Sequence, residues 1–129
     1  MKTIEFVKKS IADTILEIEH KFNEKKLPYV EIKTLVKSAK EFASVLNPSL
    51  NVEQRMKHSD FLNATLEKLC KIEIDLQISI ANSLSKKDYK AHFALSNTYK
   101  DVVELKKQLY VPIVFETGGW SKCNLVSLL

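Results

Sequence analysis

The stretch FLNATLEKLCKIEIDLQISI, residues 61 to 80, sets ten aliphatic or aromatic side chains among a cysteine and three carboxylates, with no glycine or proline to interrupt it. Its apolar residues repeat with a helical period. Leu62, Leu66, Leu69, Ile72, Leu76 and Ile80 follow one another at steps of three and four, which stacks them along one seam of a helix. Phe61, Cys70, Ile74, Ile78 and Ala81 widen that seam into a stripe broad enough to touch more than one neighbour. Asn51, with Gln54 three residues later, has the form of a capping box, so the spacing predicts a helix from about Asn51 to Leu84 that also carries Met56.

The same period recurs on both sides. Ile4, Val7, Ile11, Ile15, Ile18 and Phe22 predict a first amphipathic helix over 4–22. Pro28 suits the first turn of a second, running to Leu46 with Ile32, Leu35, Val36, Ala39, Phe42 and Ala43 on one face. Asn47-Pro48 ends it, because the residue before a proline is disfavoured in the helical region. Ser85-Lys86-Lys87-Asp88 matches a capping box opening a last helix with Ala91, Leu95, Thr98, Val102, Leu105 and Leu109. Two glycines and three prolines in 129 residues are too few for the frequent turns of an all-β chain. The expectation is an all-α, antiparallel four-helix bundle in one domain, residues 1–110, followed by a short irregular C-terminal tail, 111–129. The tail holds both glycines, the only tryptophan and Cys123, and its VPIVF has strand character.

Membrane and catalytic classes find little support in these residues. The N-terminal segment carries Glu5, Asp13, Glu17 and Glu19 in place of the apolar run of a signal peptide, and no apolar run is long enough to span a bilayer. Cys70 and Cys123 fit no metal spacing and no disulfide framework, so a cytoplasmic home with two unpaired thiols is the simplest expectation and a single disulfide between them the alternative. His20, His58 and His92 each lack a second ligand at helical spacing, and Glu67, Glu73 and Asp75 lack the Glu-x-x-His pairs of a bundle metal centre. The Gly118-Gly119 pair opens no helix and has no lysine-serine sequel of the P-loop kind. Arg55 has a histidine three residues on, closer than the spacing of helical ribonuclease toxins. No cofactor, no metal and no catalysis are expected.

Charge is the remaining signal. The chain holds nineteen lysines, a single arginine and a formal net charge of +4. Lys33, Lys37 and Lys40 stand at i, i+4 and i+7 on one strip of the second helix, with Lys25 and Lys26 in the loop before it. Lys86, Lys87 and Lys90 open the last helix, and Lys106 and Lys107 lie near its end. Such strips can follow an RNA or DNA backbone through salt-sensitive contacts, and they are equally the solvated face of an ordinary bundle. Lysine meets phosphate as a point charge, so base-specific reading is not expected.

The residues from Arg55 to Leu109 resemble the second half of a four-helix-bundle family, that of the accessory variability determinants of diversity-generating retroelements and the 23S rRNA intervening-sequence proteins. Phe61, Leu62, Ala64, Leu66, Leu69, Ile72, Glu73, Leu76, Ile80, Ser85 and Tyr89 occupy the matching places, and the KKLP before the second helix is similar to the family's basic, proline-marked link. The resemblance implies a homopentamer whose basic surface holds RNA or DNA and whose partner is a reverse transcriptase. The competing expectation is a protein-binding bundle, an immunity, antitoxin or inhibitor protein, whose partner docks on exposed apolar positions of the third helix or on the tail.

Overall fold

The structure is a computed structural model in which residues 2–112 are described. Five helices follow one another: α1 (Lys2–Lys21), α2 (Tyr29–Leu46), α3 (Val52–Lys57), α4 (Ser59–Ser85) and α5 (Tyr89–Gln108), with a 3-10 turn at Asn47–Ser49 between α2 and α3. No strand occurs among the described residues. The expected all-α bundle is what forms: α1 packs on α2, α2 on α5, and α5 on α4, while α1 and α4 touch more lightly. Val111, at the start of VPIVF, packs partly buried against the core, and the tail beyond Pro112, with the rest of that segment and Cys123, lies outside the described residues.

The predicted seams are the core. Ile11, Ile15 and Ile18 of α1 meet Ile32 and Val36 of α2, Leu62, Leu66, Leu69 and Leu76 of α4, and Leu95, Val102 and Leu105 of α5 in one buried cluster. Each such side chain contributes about 1.5–3 kcal/mol by leaving water. Thr65 and Thr98 are buried without cost in unpaired groups, because each hydroxyl donates to the carbonyl one turn back, Phe61 and Ala94 respectively. Cys70 is packed partly buried against this cluster, as its place on the apolar face suggests. It is not a free thiol, so the expectation of unpaired thiols does not hold there.

Two expected boundaries shift. The third helix is divided at His58, whose backbone (φ −102°, ψ 22°) leaves the helical region between α3 and α4. The hydrogen bonds on either side persist, His58 N–H to Gln54 O and Leu62 N–H to His58 O, so the chain bends without losing its ladder. Asn51 caps α3 as expected, its side-chain oxygen accepting from Gln54 N–H at 2.8 Å. At the other end Ser85 belongs to α4, and Asp88, three residues on, caps α5 by accepting from Ala91 N–H. Lys86 and Lys87 are consumed in terminating α4, which moves the start of α5 past the predicted box.

His58 also joins α3–α4 to α1. The Lys8 ammonium donates to His58 Nδ1 at 3.2 Å and lies 5.2 Å from the centre of the Phe61 ring. Because an ammonium can only donate, Nδ1 accepts and the ring proton sits on Nε2. Burial first, then the Lys8 charge, holds the imidazole below its ordinary 6.5, with Glu5 opposing and Lys57 adding to the effect. A histidine with a lowered pKa binds fewer protons folded than unfolded around pH 6.5. Its share of stability is complete above 6.5 and is lost as pH falls through the folded value. The urea midpoint of the native protein is therefore expected to drop more between pH 7.5 and pH 5 than that of His58→Gln, and equal drops would refute this.

Candidate functional site

The bundle topology decides which lysines meet. In an antiparallel bundle the loop between α1 and α2 and the turn between α4 and α5 fall at the same end, and Lys25, Lys26 and Lys86 line one cleft there. Lys87 and Lys90 are exposed beside them in the chain, in the turn and the first turn of α5. Lys37 is exposed and Lys33 half-buried along α2, and neither lines the cleft. No ion pair among the described residues engages any of these seven.

Two other lysines are engaged by carboxylates of a neighbouring helix. Lys40 donates to Asp101 at 3.0 Å and Glu104 at 2.9 Å, clamping α2 to α5, and these carboxylates, Glu104 first, raise its pKa above 10.5. Lys106 is buried and donates to Glu73 at 2.5 Å, so it is no part of an outer strip. The partners lie 61, 64 and 33 residues away in the chain, beyond the reach of any helical-spacing rule.

Lys87 has an unusual backbone. Its φ of 59° is left-handed, a conformation that glycine takes without penalty and that costs a lysine about 1–2 kcal/mol. It closes α4 in a Schellman arrangement, with Asp88 N–H bound to Ser83 O and Lys87 N–H to Leu84 O. A cationic side chain thus stands where the turn itself would favour having none.

The cleft has a volume of about 680 Å³. It exists because α4, at 27 residues, outruns the 20-residue α1 beside it, and the α1–α2 loop fills only part of the space. Phe22, Leu27, Tyr29, Ala91 and Leu95 give it an apolar floor continuous with the core, with Ile78 on one wall. Its acids are mostly committed. Glu24 is paired with Lys21, Glu19 faces Lys68 at 3.9 Å, and Asp88 caps α5, which leaves Asp75. Its lysines, Lys25, Lys26, Lys71 and Lys86, are in no ion pair among the described residues. Lys71, Asp75 and the aromatic floor are what the sequence reading missed. Lys71 and Asp75 share a helix face one turn apart, but only the register of α1 against α4 brings that face to the two loops.

His92 Nδ1 lies 3.3 Å from Ile80 O, His20 is exposed, and Glu73 is held by Lys106. Among the described residues no three His, Cys, Asp or Glu side chains are gathered to hold a metal ion, and no helix is long and apolar enough to cross a membrane. Comparison with family models, curated proteins and solved structures returns no match for this chain.

Proposed function

We propose that this protein is a non-enzymatic helical bundle that binds the RNA or DNA backbone through its lysine-bearing end. The observation that carries this reading is the convergence of Lys25, Lys26 and Lys86, with Lys87 and Lys90 adjoining, at one end of the bundle without acidic partners among the described residues. A cation already paired with a carboxylate has little left to offer a phosphate, whereas an unpaired one releases a counterion for each phosphate it neutralises. The left-handed Lys87 supports the same reading, since a charge is kept at the expense of the turn. Lys33 and Lys37 extend the surface along α2. The resemblance of Arg55 to Leu109 adds the particular role: an accessory variability determinant, assembled as a homopentamer, that partners the reverse transcriptase of a diversity-generating retroelement. A pentameric mass in solution and co-purification with such an enzyme are the expected results for that part.

Binding is tested by titrating labelled RNA and DNA at two salt concentrations. Affinity is expected to fall steeply with salt, and absence of salt-sensitive binding at low ionic strength overturns the proposal. Lys87→Gly separates fold from function: it is expected to stabilise the bundle by about 1 kcal/mol and to reduce the salt slope by about one. Unchanged binding would remove Lys87 from the interface.

A protein-binding bundle is the second reading, supported by Ile74 and Ile78 on α4, each 56 % exposed. Under it Ile74→Glu abolishes capture of the partner while leaving nucleic-acid titrations unchanged.

A further inference from the structure

The cleft between α1, α4 and the two loops has properties that a flat cationic surface does not need. A duplex presents phosphates on its outside and hides the faces of its bases, so lysines on a convex end would suffice for it. Here the uncommitted lysines surround an apolar floor that includes Phe22 and Tyr29. The volume, about 680 Å³, is far too small for a double helix and lies within the roughly 300–1,000 Å³ of sites that enclose small molecules.

Resting on the nucleic-acid reading above, we propose that this cleft seats one unpaired nucleotide of a single strand. The base lies on the apolar floor and its flanking phosphates meet Lys25, Lys26, Lys71 and Lys86. Unstacked bases lose water-exposed faces by lying on aromatic and apolar side chains, and single-strand sites combine such platforms with a cationic track. The polar groups of the cleft fit the same occupant. Asn23, Ser79 and Asn82 line it with side chains that make no hydrogen bond among the described residues, leaving amide and hydroxyl groups for a base edge. Asp75, the uncommitted acid, can only accept when ionised, so it repels phosphate and receives an N–H donor. That places the base on the α4 side, near Asp75 and Asn82, and the phosphates toward the loop lysines. Lys71, one helical turn from Asp75, reaches the strand as it leaves the cleft.

The test compares a labelled single-stranded oligonucleotide with its duplex by fluorescence anisotropy at low salt. The probes are the native protein, Ser79→Trp, which fills the cleft from half-buried Ser79, and Lys71→Ala, a change at an exposed position without a partner among the described residues. Circular dichroism checks that each variant is folded. The native protein is expected to bind the single strand more tightly than the duplex. Each variant is expected to lose on the order of tenfold toward the single strand and little toward the duplex. If salt-sensitive binding is seen but single strand and duplex respond alike, or neither responds, the cleft inference is overturned and the backbone reading stands. If the native protein binds neither, both fall. Should Ser79→Trp fail to fold, Lys71→Ala decides.

Discussion

Arg55→Ala is expected to lower the unfolding free energy by about 3–5 kcal/mol, because several oxygens each lose a charged donor at about 1–3 kcal/mol apiece. The only arginine of the chain is 3 % exposed. Its Nε donates to Leu50 O at 3.1 Å, Nη1 to Gln108 O at 3.0 Å and Tyr110 O at 3.1 Å, and Nη2 to the Asn47 side-chain oxygen. The guanidinium carbon also lies 4.1 Å from the centre of the Tyr110 ring. One planar group therefore ties the α2–α3 connection to the last residue of α5 and the segment after it. Both places need donors. A helix leaves its final carbonyls without intrahelical partners, and their dipoles favour a positive charge. No carboxylate among the described residues pairs with Arg55, so these oxygens and the α5 terminus offset the charge. A lysine in its place would keep the charge but not the fork, since an ammonium has one nitrogen where the guanidinium has three. Arg55→Lys is therefore expected to cost about 1–3 kcal/mol, between the native protein and the alanine variant. Urea unfolding followed by circular dichroism measures both, and an Arg55→Ala midpoint equal to the native one would show that the clasp carries no stability.

Arg55 also marks where reading by sequence stops. The seams of α1, α2, α4 and α5 are legible because helical period is local: Leu62, Leu66, Leu69 and Leu76 identify themselves as one face, and all four are buried. The antiparallel order follows from short loops. Given that order, the meeting of Lys25 and Lys26 with Lys86 is legible too, since alternate loops share an end. Nothing local says that an arginine will turn inward toward carbonyls 53 and 55 residues away. The bend at His58 that accompanies it has no glycine or proline to announce it. The end of α4 is hidden for a related reason, because the residue in the left-handed position is Lys87 where glycine is usual. The cleft depends on the mismatch between a 20-residue and a 27-residue helix and on their register, and only the first of these can be counted from the sequence.

Glu73→Leu is expected to be as damaging as the loss of Arg55, and the effect should vanish when Lys106 is changed with it. Glu73 is one of the three carboxylates between Phe61 and Ile80, and Lys106 one of the chain's nineteen lysines. The bundle presses them together at 2.5 Å with side chains 13 % and 4 % exposed. Each charge has left water at a cost of several kcal/mol, which the other offsets only while both are present. Removing Glu73 strands an ammonium that is almost sealed from solvent, at about 3–5 kcal/mol. Removing Lys106 strands a carboxylate with more access to water, so Lys106→Met is expected to cost less, about 1–3 kcal/mol. That figure includes the loss of a cation two residues before the end of α5, where the helix dipole favours one. The double variant replaces the pair by apolar groups of similar length between helices already joined by Ile72, Val102 and Leu105, and is expected to lie within about 1 kcal/mol of the native protein or above it. A double-mutant cycle measures the coupling directly. Additive losses would mean that the two groups act independently and that water reaches them. A large coupling with a recovered double variant would show that the attraction between the two charges does little more than offset the cost of burying them.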